Sequence, residues 1–301
     1  MAVDKFAEMR AFVAVVDAGS FVKAADVLHV SKAGISRLVS DLEARLGLRL
    51  LQRTTRKLSL TAEGEVFHHR CIELLQAVED AEGEVTARGG EAVGLLRVNV
   101  PVSFGMAHLA PLWPLFMELH PQVVLDVTLS DRVVDLVDEA YDLAVRIARL
   151  PNSTLVSRKL ASTRLTLCAS PDYLRRHGVP MHPLELSQHA VIAYTLLAIG
   201  DHWQFESEEG PVTVKVKPRM RSNSGDTCCI AAVSGQGLVL EPTFLVGPYL
   251  RTGELVEVLS QYRSVDLGVY AVYPTRKYVP PKVRALIEFL AQSLQGNTWP
   301  A

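Results

Sequence analysis

The run that most constrains this chain lies near its start: Ser31-Lys32-Ala33-Gly34-Ile35-Ser36-Arg37-Leu38-Val39-Ser40-Asp41-Leu42-Glu43-Ala44-Arg45-Leu46-Gly47. Ser31 suits a helix N-cap, Ile35, Leu38, Val39, Leu42 and Leu46 recur at helical spacing, and Gly47 supplies a C-terminal stop. One face of this helix is therefore expected to be buried. The opposite face carries Ala33, Ser36, Arg37 and Ser40, with Lys32 in the first turn. Small side chains let a helix approach a surface closely, and an arginine can then reach the guanine O6 and N7 acceptors or a phosphate. Upstream, Ser20 caps a shorter segment with Phe21, Ala24, Ala25 and Leu28 on one face, and His29-Val30 turns the chain into Ser31. Two helices joined by a tight turn, the second presenting small polar residues, have the layout of a helix-turn-helix.

The wider pattern is Phe12, Gly19-Ser20-Phe21, Ala24-Ala25, Leu28, Ser31, Ile35-Ser36-Arg37, Leu42-Glu43 and Leu46-Gly47. Leu50-Leu51, Arg53, Arg56, Leu60-Thr61 and Gly64 continue it. It resembles the N-terminal signature of LysR-type transcriptional regulators. Lys32 stands where glutamine is frequent in that family, Gly34 where proline, alanine or serine is usual, and Leu51 where phenylalanine is common. The resemblance implies an α plus α/β protein: a winged helix-turn-helix over 1–60, a linker helix used for dimerisation over 61–90, and an effector-binding domain over 91–301. That last domain would resemble periplasmic binding proteins, with lobe one at about 95–162 and 268–295 and lobe two at about 163–267.

Charge distribution agrees with a nucleic-acid partner at one end. The whole chain carries a net charge of -2, yet residues 1–60 hold ten Lys/Arg against six Asp/Glu. A basic head on an acidic body suits DNA at the head alone. The four cysteines, Cys71, Cys168, Cys228 and Cys229, show no disulfide-framework spacing, so reduced thiols in the cytosol are expected. Asp4, Glu8 and Arg10 interrupt any signal-peptide core, and no apolar run reaches transmembrane length.

Residues 4–18 place Phe6, Met9, Phe12, Val13 and Val16 on one helical face, which packs behind the two helices above. After Gly47, Leu48 to Leu60 alternates around a basic tip and reads as a hairpin wing. Its tip, Arg53-Thr54-Thr55-Arg56-Lys57, is expected on the phosphate backbone or in the minor groove, the alternative being a solvated loop. Lys32, Ser36 and Arg37 are the expected base readers, with Ser20, Ser31, Ala33, Gly34 and Thr54 completing the interface. Thr61 caps a long helix on which Phe67, Cys71, Leu74, Val78, Ala81 and Val85 form a heptad seam. A seam of about three heptads pairs two chains only if other surfaces also touch. His68-His69 with Cys71 could suggest a metal, but adjacent helical side chains point about 100° apart, so they read as surface and seam residues.

Beyond Arg88-Gly89-Gly90 the pattern changes to strands alternating with helices. Strands are expected at 95–100, 123–129 and 142–147, with helices at about 105–119 and near 133–140. Further strands are expected near 164–168, 190–194, 238–241, 254–259 and 267–273, a hairpin around 203–216, and helices at about 226–233 and 282–294. Such alternation argues for βαβ units and a mostly parallel sheet. Trp203 and Phe205, two apart, should cover a sheet.

No nucleophile elbow, zinc-protease, P-loop or dinucleotide motif stands at a strand-to-helix junction, and no cofactor is expected. The vicinal Cys228-Cys229 pair could sense oxidants, or be two buried side chains. In α/β sheets ligands gather beyond the strand ends, where helix amides are free. Pro101-Val102-Ser103 and Ser222-Asn223-Ser224 are two such junctions, and neutral Ser103 and Asn223 suit a site that stands empty part of the time. The family resemblance adds Thr128 to Ser130, Arg146 and Glu241-Pro242 to an effector cleft for a small anionic or polar molecule. Arg146 could bind a carboxylate or be held by Asp142 or Asp131. The implied partners are a double-stranded operator, a second copy of the chain or a dimer of dimers, and RNA polymerase. The rival reading is a small-molecule binding protein with no role in transcription.

Overall fold

Local caps start the N-terminal helices. In the computed structural model, which describes residues 4–53, 58–86, 91–149, 156–208, 210–274, 279–296 and 299, α1 (Lys5–Ala18) begins where Asp4 accepts from the Ala7 amide at 3.0 Å. It ends at Gly19, whose φ of +60° is left-handed. The Ser20 hydroxyl accepts from the amides of Val22 and Lys23 to open α2 (Phe21–Val27). His29, at φ +53°, then closes the turn, with the Val30 amide donating back to the Ala25 carbonyl at 3.0 Å. Ser31 caps α3 (Lys32–Leu46) by accepting from the Gly34 amide at 3.0 Å. Phe12, Val15, Ala24, Ile35, Val39 and Leu42 meet in one dry core.

The chain divides into two units, residues 1–91 with 135–140 and residues 92–134 with 141–301. In the first, the three helices are followed by β1 (Leu51–Arg53), antiparallel to β2 (Leu58–Leu60), and by the 25-residue α4 (Ala62–Thr86). The wing is tied to the helices by Glu43, a buried acid whose Oε1 accepts from the amides of Leu50 at 2.8 Å and Leu51 at 3.1 Å. A charged acceptor shared by two amides is among the stronger hydrogen-bond arrangements.

The expected heptad seam is corrected at its start. Cys71 is fully buried in the core of the three helices, and the Phe67 ring lies 5.9 Å from that of Phe12. These two residues hold α4 to its own domain, so Cys71 is not placed to meet its counterpart across a dimer axis. An apolar stripe specifies burial but not the partner, and the nearest apolar surface takes it. Among the described residues of α4, Val66 and Leu74 are the large apolar side chains that stand exposed. The side chains of Ala81 and Val85 lie outside the described residues, as do residues 87–90 and the wing tip 54–57.

The second unit opens with β3 (Gly94–Val100) and a broken helical segment: α5 (Val102–Phe104), a π turn at Gly105–Leu109, a 3-10 turn at Ala110–Leu112 and α6 (Trp113–Leu119). One helix over 105–119 was expected, but Pro111 and Pro114 lack the amides that a regular ladder needs. Next come β4 (Val123–Leu129), β5 (Leu143–Ala148) and β6 (Val156–Ala169). The helix expected near 133–140 is instead a set of turns. Asp135 Oδ1 accepts from the amides of Val137 and Asp138, and Ala140 is left-handed at φ +55°, so the single turn goes no further.

The chain continues through α7 (Pro171–His177), β7 (Val191–Tyr194), the hairpin β8 (His202–Ser207) with β9 (Gly210–Lys215), and β10 (Pro218–Ser222). It then forms α8 (Gly225–Val233), β11 (Leu238–Pro242), α9 (Thr243–Thr252), β12 (Val256–Glu257), β13 (Asp266–Tyr273) and α10 (Pro281–Ser293). The strand expected over 254–259 shrinks to Val256–Glu257. Trp203 and Phe205 are buried in the core that β7 and β11 share.

Strand order is β4-β3-β5-β13-β6-β11-β7-β10, with β12 also on β6. Pairing is parallel within each flank and antiparallel where β13 meets β5 and β6 and where β6 meets β11. The sheet is therefore mixed rather than mostly parallel. The 14-residue β6 explains why: Val156 to Arg164 pair with β13, and Leu165 to Cys168 with β11. One strand thus threads two lobes, each with its own core, and a cleft opens beside the crossing.

Candidate nucleic-acid interface and effector cavity

On α3 the buried stripe of Ile35, Val39 and Leu42 leaves Lys32, Ala33, Arg37 and Ser40 exposed and Gly34 and Ser36 half-exposed. Ser20 and Ser31 each cap a helix start, so their hydroxyls are engaged with backbone amides. The Arg37 side chain is 74% exposed, and Asp41 one turn on lies 3.6 Å away. A pair so exposed contributes little stability and leaves the guanidinium available to an outside acceptor. Thr54, Arg56, Lys57 and the side chain of Arg53 fall outside the described residues.

His68 and the four thiols are engaged within their own units. His68 Nε2 stands 3.2 Å from Asp17 Oδ1, and burial lowers its pKa more than that carboxylate raises it. Burial pushes the Cys71 thiol up to about 12 and Cys228 likewise to about 12, and raises Cys168 and Cys229 as well. Such thiols stay protonated and react poorly with oxidants. The structure therefore assigns Cys228 and Cys229 to a core with Cys168, Ile192 and Val239.

In the second unit a cavity of about 380 Å³ lies between the lobes. Ser103, Ser130, Arg146 and Glu241, four of the residues expected there, line it. Thr128 and Asn223 are exposed and outside the lining, and Ser224 caps α8 by accepting from the Thr227 amide at 3.3 Å. Strand ends were the right neighbourhood, but the alternation of side chains along β4 turns Thr128 away.

The polar groups around the cavity are connected. Ser103 Oγ donates to Asp226 Oδ2 at 2.5 Å, and the Val102 amide donates to Asp131 Oδ1 at 2.9 Å. Arg146 Nη1 donates to Asn99 Oδ1 at 2.8 Å. The carboxylate Asp142, considered as its partner, accepts from the Arg97 amide and faces Lys282. Burial, with a smaller contribution from Asp226, raises the Asp131 carboxyl. Burial first, then Asp226 and Asp131, pushes Glu241 up to about 8. Reasoning from sequence missed Asp131 as a lining group and Asp226 as its charged neighbour, because nothing local ties them to Glu241.

No helix among the described residues is long and apolar enough to cross a membrane. Residues 6–65 match the bacterial regulatory helix-turn-helix family of lysR type, and residues 89–295 match the LysR substrate binding domain. An uncharacterised HTH-type transcriptional regulator of Haemophilus influenzae is 36% identical over 94% of this chain and 98% of its own. The HTH-type transcriptional regulator CrgA of Neisseria meningitidis is 34% identical over 96% of this chain and 97% of its own. The solved CrgA structure superposes with a TM-score of 0.61 over 97% of this chain and 99% of that one, at 34% identity. The full-length structure of AphB, a Vibrio cholerae virulence activator, gives a TM-score of 0.63 at 31% identity, covering 96% of this chain and 99% of that one. With a helix-turn-helix whose outer face is open, a two-lobed domain around a cavity and both family patterns in sequence, the chain belongs to the LysR family of DNA-binding transcriptional regulators and is not an enzyme.

Proposed function

We propose that this regulator reads a partly palindromic operator as a dimer or dimer of dimers, and that a small molecule in the interlobe cavity changes how the dimers sit on DNA. The face of α3 carries the first part. Ile35, Val39 and Leu42 are buried on one side, so Lys32, Ser36 and Arg37 are what that helix offers to a groove. Ala33 and Gly34 permit close approach, Ser20 and Ser31 set the helix starts, and Arg53, Thr54, Arg56 and Lys57 supply phosphate contacts. Arg37→Ala should cost roughly 1–3 kcal/mol on the specific site and flatten discrimination against random DNA. Lys57→Ala should weaken all sequences alike and lower the salt slope by about one. Equal losses on both DNAs in both variants, measured by fluorescence anisotropy, would refute this division of roles.

Dimerisation through α4 follows from the exposure of Val66 and Leu74 on a helix whose other side is committed to its own domain. Two α3 helices on successive half-sites turn weak single contacts into a tight site. Val66→Glu with Leu74→Glu is expected to shift sedimentation toward monomer and abolish operator binding. An unchanged sedimentation profile would eliminate this face. Contact with RNA polymerase belongs to the same reading, since a regulator bound upstream acts on transcription through that enzyme.

A further inference from the structure

Acids from distant parts of the chain come together at one side of the cavity: Glu241 and Asp131 line it, and Asp226 lies within electrostatic reach of Glu241. Glu241 lies on β11, Asp131 follows β4, and Asp226 is in the first turn of α8. Two of them are occupied as acceptors: Asp226 by the Ser103 hydroxyl, Asp131 by the Val102 amide. Glu241 is different. It is 2% exposed, and its Oε1 has no hydrogen-bond partner among the described residues. A side chain at position 225 would crowd it, since a Cβ on Gly225 would stand 3.3 Å from Glu241 Oε2. Native proteins seldom leave a buried carboxyl oxygen unpaired, because it forfeits its water without compensation. Apolar groups make up much of the remaining lining, among them Phe104, Ile147, Leu197 and Phe244.

We propose that the effector is a small organic ammonium ion, whose N–H groups donate to Glu241 Oε1 while its apolar body lies against Phe104, Ile147, Leu197 and Phe244. The proposal rests on the reading of this cavity as the effector site. An ammonium ion supplies the donor that Glu241 lacks and the positive charge that three neighbouring carboxyls favour. An anion beside Glu241 would meet Asp131 in the lining and the repulsion of the nearby Asp226. Arg146 and Arg149 line the cavity from the end of β5, which makes a carboxylate the necessary competitor in any test.

Binding should release a proton. Burial, then Asp226 and Asp131, push the Glu241 carboxyl up to about 8, which favours its protonated form at neutral pH. The other groups around it are Tyr194 on β7, Cys168 on β6, and Cys228 and Cys229 on α8, all pushed upward by burial and therefore uncharged near pH 7. An arriving ammonium ion stabilises the Glu241 carboxylate, the O–H bond breaks, and the proton passes to the buffer.

The experiment is isothermal titration of the full-length protein at pH 7, in two buffers of different ionisation enthalpy, with 2-phenylethylamine, phenylacetate and 2-phenylethanol. The amine is expected to bind at least about tenfold tighter than the other two and to release close to one proton per molecule bound. Glu241→Gln should weaken the amine by about tenfold or more and remove the proton release, while Glu241→Asp should weaken it and keep the release. Phenylacetate binding tighter than the amine, or amine affinity indifferent to Glu241→Gln, overturns the ammonium assignment. No saturable binding of the amine up to about 10 mM overturns it too. Leu197→Trp, which fills the cavity, separates the two readings. Phenylacetate binding lost in that variant leaves the cavity an effector site with the wrong charge assigned, whereas any ligand that still binds there places the effector elsewhere.

Discussion

Asp142→Ala is expected to destabilise the effector-binding domain by about 3–5 kcal/mol, because it leaves the Lys282 ammonium buried without its carboxylate. The two side chains are each 5% exposed, with Lys282 Nζ 3.7 Å from Asp142 Oδ1. Lys282 also donates to the Leu95 carbonyl at 2.7 Å, and Asp142 Oδ2 accepts from the Arg97 amide at 2.9 Å. The pair therefore ties the first turn of α10 to β3 and to the entry of β5. An exposed pair would be worth far less. Removing both charges should do less harm than removing one: Asp142→Leu with Lys282→Met is expected to recover much of the loss. Urea unfolding of the full chain, followed in the transition of the second unit, gives the comparison. A single variant within about 1 kcal/mol of the parent would show that the charges are screened, contrary to their burial.

Gly64→Ala is expected to destabilise the DNA-binding unit by about 3 kcal/mol or more and to abolish operator binding. A Cβ at this position would overlap the Leu50 carbonyl oxygen and stand 3.1 Å from Leu60 Cδ2. The first of these is backbone, so no rotamer change relieves it. Opposing this, alanine is the better helix former by about 1 kcal/mol. The overlap outweighs that gain, since Leu50 is also the acceptor for the Thr61 amide and the donor to Glu43. Moving its carbonyl disturbs the Thr61 cap, which accepts from the Gly64 amide at 2.9 Å, and the first wing strand with it. Thermal melting and operator titration together test this. A variant that melts with the parent and binds DNA with unchanged affinity would mean that the α4 start and the wing shift apart without consequence.

Legibility from sequence varied along the chain for identifiable reasons. The strand at 123–129 coincides with β4, and the final helix begins within one residue of its expected start. The turns at 133–140 escaped because apolar spacing there suits a helix, while the Asp135 side chain competes for the amides at Val137 and Asp138. α7 and α9 were also missed. Pro248 lies inside α9, where its missing amide opposes a regular helix, yet tertiary packing keeps the helix with Phe244 and Val246 buried. Around the cavity, Ser103 was legible by its position after a strand end, and Ser130, Arg146 and Glu241 came from the family resemblance, whereas Asp131 in the lining and Asp226 beside it were not legible.

What the sequence determined by itself is the DNA-binding head, because every signal there is local. Asp4, Ser20, Ser31 and Thr61 cap the helices that follow them, Gly19 and Gly47 end two of them, and one apolar face per helix is readable within a few turns. Tertiary structure alone decided which neighbour each buried face would take. Phe67 and Cys71 could serve a second chain or their own domain by periodicity, and the proximity of Phe12 settles them inward. Likewise the sequence marks only a short strand near 164–168, yet β6 runs from Val156 to Ala169 and links the two lobes because its pairing passes from β13 to β11 along its length. The acids at 131, 226 and 241 stand far apart in the chain and are brought together only by the fold, since burial and mutual repulsion act through space and leave no spacing in the chain to read.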